Sequence, residues 1–408
     1  MSKKWISIML AVLVAFAVSG CGQADEKASG DGKKEETKKE ESKKKDSGSN
    51  QEFSDLITFM EKETGGSAKK VFENTKPEQE YETEGIKVSL DEYQVLELNG
   101  LDEEHRTPFK KEEDGAVVLA KYTLKNESDQ DVYYNPTLNM TFSGADKSYD
   151  NYRELLPEDK QIKEMLTPDN EYLWKKGETI TGYYTYTMSK GDLEKAMDVS
   201  TVAIELPAAQ AEKDDYNSLI GEKGIFNVGL TEAGVKKVAD NKKFYQDLTT
   251  KNDMGEKVMV DEKEGIGTNE KIGDLTFTLE GYQFAEFTPN AVEAPKFSNF
   301  KGDMVLLTVK LQVENGGKEQ LSQGSPTSKL LIDGGADYTL DQPMLTGYAY
   351  DDVIEPGESG ELLQIFVLDK EKYEKIWKDK SFEMEMAHLQ NAKAKELFEG
   401  KTVSFKLK

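Results

Sequence analysis

The 408-residue sequence holds one cysteine, Cys21, so no disulfide can form within the chain. Only two histidines are present, His105 and His388. Most nucleophile-base pairs and the usual zinc-ligand sets need more of these residues, and they drop out before any motif is sought. No Gly-x-Ser-x-Gly, Walker loop, His-Glu-x-x-His or Gly-x-Gly-x-x-Gly occurs, and Gly265 and Gly267 lack a strand-to-helix setting. Positive charge is scarce: 53 Lys and Arg stand against 78 Asp and Glu, for a formal charge of -25. A surface this acidic repels phosphate backbones, so no nucleic-acid partner is expected. The acids include Asp214 with Asp215, Asp351 with Asp352, and Asp169 with Glu171, but no alternating series closed by glycine as in a calcium loop. Solvation at the surface accounts for them. No metal, no other cofactor and no enzymatic activity is expected.

Long apolar runs are also scarce. One runs nearly unbroken from Trp5 to Val18, after Lys3 and Lys4 and before Ser19 and Gly20. A spanning helix wants about 20 apolar residues, and this run stops short at small residues, so residues 1–20 read as a three-part secretory signal. Val18-Ser19-Gly20-Cys21 resembles the lipobox of bacterial lipoproteins. The resemblance implies cleavage between Gly20 and Cys21 and a diacylglycerol on the Cys21 sulfur. The expected location is then the extracytoplasmic face of the cell membrane, because two acyl chains anchor stably where one holds marginally. Residues 22–51 contain eight lysines, eight acids and no apolar side chain larger than alanine. Such a segment cannot offset the entropy of ordering, so 21–51 is expected to be a lipidated cysteine followed by a disordered charged tether. Signal and tether carry ten of the 53 basic residues and eight of the 78 acids, leaving 43 against 70, a charge of -27, on the remainder. The net acidity therefore lies on the folded part.

That part contains one unit twice. Ile86 to Val95 (IKVSLDEYQV) matches Leu275 to Phe284 (LTFTLEGYQF) at an offset of 189, and Val117 to Asn126 matches Leu306 to Asn315 at the same offset. Pro136-Thr137 follows onto Pro326-Thr327, and Met140 and Phe142 onto Leu330 and Ile332. At an offset of 180, Gly177-Glu178 meets Gly357-Glu358, Leu193-Glu194-Lys195 meets Tyr373-Glu374-Lys375, and Val202 to Leu206 meets Phe382 to Met386. Val118, Ala120, Tyr122 and Leu124 alternate with mostly polar neighbours, as do Leu307, Val309, Leu311 and Val313. Period two puts each set on one buried strand face. Strands separated by polar loops, with no helices between them, predict a mainly β protein of two tandem immunoglobulin-like antiparallel sandwiches, at 78–208 and 269–408.

Short helices are expected N-terminal to and between the sandwiches. Phe53, Leu56, Ile57 and Met60 recur at helical spacing inside a short helical segment, 52–75, and residues 209–268 form a partly helical connector. Within the sandwiches, 190–197 and 370–377 are each predicted to hold one short helix, with Trp377 in the core. The copies differ in one place. From Asp146 to Gly177 there are 31 positions, against 20 from Asp337 to Gly357, so the first copy carries an extra loop of about eleven residues. Tyr149, Tyr152, Tyr172 and Trp174 cluster around it, and Tyr183, Tyr184 and Tyr186 follow on one strand. Tyrosine favours strands for packing reasons, so the core claims most of these rings. A binding surface for glycan or peptide is expected first at the loop cluster. His105, in a run of charged residues, reads as a solvated loop residue.

The paired motifs Lys125-Asn126 and Glu314-Asn315, followed by Lys176-Gly177-Glu178 and Pro356-Gly357-Glu358, resemble those of secreted bacterial lipoproteins with tandem immunoglobulin-like domains of the mycobacterial secreted-antigen type. That family has no known common function. The resemblance implies fold and location, with Tyr186 and Phe366 as the aromatics carried into each core, and Lys176 replaces the proline of the motif. The functional expectation is a lipid-anchored, non-catalytic binding or scaffolding module at the cell envelope. Its partners would be the membrane, through the anchor, and a cell-wall or protein partner. The alternative is a solute-binding receptor of a transporter, which calls for two α/β lobes around a cleft.

Overall fold

A computed structural model describes residues 51–167, 171–300 and 303–408. Gly20, Cys21, the signal, the tether through residue 50 and Asp169 lie outside the described residues, while Gln51, the last residue of the expected tether, is helical. Helix α1 covers residues 51–64, with Leu56 and Met60 buried as their spacing predicts.

Twelve strands follow: β1 (Ser67–Asn74), β2 (Gln79–Thr83), β3 (Ile86–Asn99), β4 (Gly115–Asn126), β5 (Val132–Tyr133), β6 (Asn139–Thr141), β7 (Leu173–Trp174), β8 (Thr179–Ser189), β9 (Thr201–Leu206), β10 (Ala209–Gln210), β11 (Leu219–Ile220) and β12 (Gly224–Gly229). One sheet runs β1-β3-β4-β8, with β2 extending the edge on β3; the facing layer is β12-β9-β6, with the small sheet β11-β10-β5-β7 beside it. The second copy repeats the plan with β13 (Gly255–Ile272), β14 (Leu275–Pro289), β15 (Met304–Asn315), β16 (Leu321–Ser322), β17 (Thr327–Ile332), β18 (Asp337–Leu340), β19 (Val353–Ile354), β20 (Ser359–Asp369), β21 (Phe382–Ala387) and β22 (Val403–Lys406). Its sheets run β13-β14-β15-β20, β18-β17-β21-β22 and β16-β19. The protein is thus mainly β, built from antiparallel sheets with few short helices.

Alternation along the central strands fills two separate cores. Val118, Ala120, Tyr122 and Leu124 join Val88, Tyr186 and Ile204 in the first, and Leu307, Val309, Leu311 and Val313 join Phe277, Phe366 and Met384 in the second. Tyr186 and Phe366 sit where the repeat puts them, opposite Val118 and Leu307. Helix α2 (Ile162–Met165) lies in the extra loop, α3 (Lys190–Val199) and the helix at 370–377 form as predicted, the latter ending in one π-helical turn, and Trp377 is in the second core.

The paired motifs prove to be two ends of one joint. In the first copy the Asn126 side-chain amide donates to the carbonyls of Gln130 and Trp174 at 3.1 and 3.0 Å, while Gly177 N–H donates to Asn126 O at 2.8 Å. In the second, Asn315 donates to the carbonyls of Glu319 and Ile354 at 3.0 and 2.8 Å, and Gly357 N–H to Asn315 O at 2.6 Å. Each asparagine therefore bolts the end of a central strand to the turn that opens β8 or β20. Gly177 (φ 75°) and Gly357 (φ 87°) hold left-handed conformations that glycine adopts without strain.

The predicted boundaries shift once pairing is visible. Residues 67–74 are not helical; β1 pairs with β3 and, with β2, matches β13 of the second copy. The connector also begins too early at 209. Strand β12 pairs with β9 as β22 pairs with β21, so 209–229 complete the first sandwich. At its other end β13 belongs to the second sandwich, leaving 230–254 as the true link. Exposed polar residues dominate β1 and β13, which hid their strand period. The link holds α4 (Glu232–Asn241) and α5 (Leu248–Lys251), capped by the Thr231 and Asp247 side chains.

The link ties the copies together within the compact unit Asp55–Lys408. Lys237 on α4 pairs with Asp253 at 2.6 Å, and Asp253 also accepts a hydrogen bond from the Thr201 hydroxyl of β9. Asn290, just past β14, donates both to Asp253 O at 3.1 Å and to the Ser143 hydroxyl of the first sandwich at 3.0 Å.

Candidate binding cleft

The extra loop of the first sandwich is folded and anchored. After Tyr149 bridges Met140 at the edge of β6, the chain runs along the free edge of β8, where Gln161 bridges Tyr183. There Asn151 Oδ1 accepts from Thr185 N–H at 3.0 Å and from its hydroxyl at 2.8 Å. Asn151 Nδ2 donates to Gln161 Oε1 at 2.9 Å, and the Gln161 amide donates to the carbonyls of Arg153 and Leu156, both at 2.8 Å. Gln161 and Thr185 are fully buried, so each hydrogen-bonding group they carry matters: leaving one unmade would cost about 1–3 kcal/mol. The loop lies close on the strand at Gly182, where a Cβ would meet the Lys160 carbonyl at 2.9 Å. Leu155, Leu156, Ile162 and Leu166 are buried beneath it.

This loop forms one wall of a cleft of about 1100 Å³, with Phe59 and Glu63 of α1 and His105 on the other side. Arg153, Glu154, Leu156, Pro157, Glu158, Asp159, Gln161, Glu164 and Thr167 come from the loop. Five carboxylates, at Glu63, Glu154, Glu158, Asp159 and Glu164, face one guanidinium, and Glu164 holds that guanidinium in a two-pronged pair with Arg153. Glu154 is the meeting point of three side chains. It accepts a hydrogen bond from the Tyr152 hydroxyl, and its Oε2 lies 3.6 Å from His105 Nε2. Burial, reinforced by the Glu154 charge, pushes the Tyr152 phenol up to about 12. The arrangement favours a cationic guest and offers no nucleophile activated by a base.

Of the four rings expected at a surface, two are core. Trp174 and Tyr149 are 0% and 2% exposed; Trp174 packs on Tyr134 with ring centres 5.4 Å apart, and Tyr149 stacks on Phe142 at 5.8 Å. Tyr172 is half-buried behind the loop, where its carbonyl accepts from Tyr134 N–H at 2.9 Å, and only Tyr152 reaches the cleft lining, through Glu154. The rings were drawn inward because β7 and the bridge at Tyr149 belong to sheets whose inner positions must be filled. His105, by contrast, is not solvated. Its side chain is 13% exposed and lines the cleft. The one signal that marked it was its position between two acids and an arginine. Asp214, Asp351 and Asp352 are exposed, and among the described residues no three His, Cys, Asp or Glu side chains come together as a metal-ligand group.

The fold places the protein among mainly β proteins built from antiparallel sheets. Residues 40–231 match the family described as a domain of unknown function, DUF5068. The match ends where β12 gives way to the Thr231 cap of α4. No curated protein matches the chain. Among solved structures, a functionally unknown protein from Listeria monocytogenes is 16% identical over 42% of this chain and 93% of its own, with a TM-score of 0.35. An uncharacterized β-sandwich protein from Clostridium difficile is 16% identical over 36% and 97%, with a TM-score of 0.24. A conserved hypothetical protein from Bacillus anthracis is 13% identical over 31% and 91%, with a TM-score of 0.22. Likenesses this distant carry no functional weight.

Proposed function

We propose that this protein is a lipid-anchored, extracytoplasmic binding or scaffolding module without catalytic activity, and that its first sandwich does the binding through the cleft between α1, His105 and the 150–167 loop. The observation that carries the reading is the insertion itself. One copy of a duplicated sandwich has gained about eleven residues, and they are fixed by a buried Asn151-Gln161-Thr185 network into the wall of a cleft of about 1100 Å³. Fixing a loop in advance lowers the entropy that a partner would otherwise lose on binding. Five carboxylates favour a cationic partner, such as a lysine- or arginine-rich peptide segment. The anchor rests on Val18-Ser19-Gly20-Cys21. The transporter-receptor alternative gains nothing from sheets whose strand pairs are antiparallel.

Two experiments test the two halves of the proposal. Labelled fatty acid should enter the wild type and not Cys21→Ser; label persisting in the variant would remove the anchor. Crosslinking on intact cells should capture a partner through the wild type and lose most of it through Glu158→Lys with Asp159→Lys, both exposed and outside the core. Equal capture would discard the cleft.

A further inference from the structure

A second constellation lies on the other sandwich, away from the cleft. The Asp247 side chain is fully buried and that of Lys257 is 4% exposed. Lys257 Nζ stands 2.9 Å from Asp247 Oδ1 and 2.8 Å from Oδ2. With both oxygens this close, Nζ is held next to Cγ, and a small swing out of the carboxylate plane brings it over the carbon. The third partner of Nζ is the Thr250 hydroxyl at 2.7 Å. Around the carboxylate, Oδ1 accepts from Thr250 N–H at 3.0 Å and from the Thr249 hydroxyl, and Oδ2 accepts from the Thr308 hydroxyl at 3.2 Å. Donors fixed in this way stabilise charge developing on a carboxyl oxygen. The Phe244 ring lies 5.4 Å from Nζ and is itself buried, so the pair is kept from bulk water.

We propose that Asp247 and Lys257 are the site of an intramolecular amide crosslink, joining Nζ to Cγ and pinning the connector covalently to β13. A proton first passes from the ammonium to Oδ2, giving an amine and a carboxylic acid, the uncharged form that a dry site favours. Burial already pulls the Lys257 ammonium below its ordinary value, against the attraction of Asp247. The nitrogen lone pair then attacks Cγ, and charge gathers on Oδ1 in front of Thr249 and Thr250. Collapse breaks the Cγ–Oδ2 bond. The leaving hydroxyl takes a second proton from the nitrogen, relayed by Thr250 Oγ1, and departs as water. One C–N bond replaces one C–O bond, and no oxidant, reductant or co-reactant enters. Such a staple would supply covalent closure to a chain whose one cysteine cannot form an internal disulfide.

Intact mass decides the matter on the full chain as purified. The crosslinked protein is lighter than its sequence by one water. Trypsin then yields a branched peptide in which 244–251 is joined to 252–263, because the modified Lys257 no longer directs cleavage. Lys257→Met and Asp247→Ala each restore the sequence mass, and Asp247→Asn instead loses one ammonia relative to its own sequence. A wild-type chain at its full sequence mass, with peptide 252–257 recovered free, overturns the proposal and leaves an ion pair only. The wild-type measurement needs no variant to fold.

Discussion

The two sandwiches share a plan but cover the outer face of their larger sheet differently. In the first, Leu96, Leu98, Val117 and Leu119 are buried on that face, the extra loop follows its edge at β8, and α1 forms the far wall of the cleft. In the second, the equivalent face is covered by the connector and two short turns, with Met254, Phe287, Phe297, Leu306, Leu345, Ile365 and Val367 in one apolar cluster. Asp247 and Lys257 are buried within that cover. One copy thus carries the extra loop with its acidic cleft where the other carries the connector. The cores differ as well. Tyr122, Tyr184 and Tyr186 of the first correspond by the repeat offsets to Leu311, Gln364 and Phe366 of the second, while Tyr93 and Tyr282 correspond to each other. The duplication preserved the frame and let cover and core diverge, and the first copy became the more polar on both counts.

The largest expected effect sharpens this contrast with alkali. Burial pushes the Tyr93 phenol up to about 12, and it raises Tyr122, Tyr134, Tyr184 and Tyr186 as well. Phenols whose folded value lies above the unfolded value of about 10 lend stability that is complete below pH 10 and is lost as the pH rises through the folded value. Every tenfold change in a phenol's acidity between the two states corresponds to about 1.4 kcal/mol, so five such groups give the first sandwich the steeper loss above pH 10. The second sandwich and its connector have fewer raised phenols, at Tyr245, Tyr282, Tyr348 and Tyr373. Fluorescence of Trp174, in the first core, should therefore change at lower pH than that of Trp377, in the second, when each is followed with Trp5 and the other ring replaced by phenylalanine. Coincident transitions would mean that the copies unfold as one cooperative body.

Next in size is Lys257→Met. It strands the Asp247 carboxylate in a buried site, whether Lys257 was its counter-ion or its amide partner, and it should cost about 3–5 kcal/mol or more by denaturant unfolding, whereas losing an exposed pair such as Lys236 with Asp240 should cost little. A loss below about 1 kcal/mol at Lys257 would show that the connector is not held at that point.

Much of the frame was legible because strands announce themselves by alternation. β3, β4, β14 and β15 were readable residue by residue, and the repeat supplied the rest of the topology. What failed did so for identifiable reasons. β1 and β13 are edge strands exposed on most of their length, and they carry no apolar period to read. β12 looked like part of a linker because its pairing with β9 is a long-range fact that local residues do not express. At the cleft, loop length pointed to a segment that lines it, but two of the rings expected at its surface, Tyr149 and Trp174, are filling for the core. His105 was missed because charged neighbours in sequence resemble solvent, while the fold buries the ring against α1 and the loop.

A smaller effect tests whether the shared frame is energetically shared. Asn126→Ala and Asn315→Ala each leave one buried carbonyl, of Trp174 or of Ile354, without its donor, and each should cost about 1–3 kcal/mol. The two losses should agree within about 1 kcal/mol, because the amide nitrogens make matching bonds and Asn126 loses in addition only the bond from the Ser128 hydroxyl. A large inequality would show that the joint has a different role in one copy.

The smallest effect concerns the turns those asparagines hold. A Cβ at Gly177 or at Gly357 would meet no atom within 4 Å, so space is not at issue at either position. The backbone alone decides, at φ 75° and 87°, where an L residue pays a conformational cost of about 1 kcal/mol. Gly177→Ala and Gly357→Ala should therefore each lower stability by about 1 kcal/mol without altering capture at the cleft. Because Gly177 closes the loop that builds the acidic cleft wall and Gly357 closes the matching loop of the second copy, which does not reach that cleft, the pair also separates strain from function. If Gly177→Ala weakens capture while Gly357→Ala does not, the turn positions the cleft wall as well as closing the sandwich, and the comparison between the copies extends from their covers into the joint they have in common.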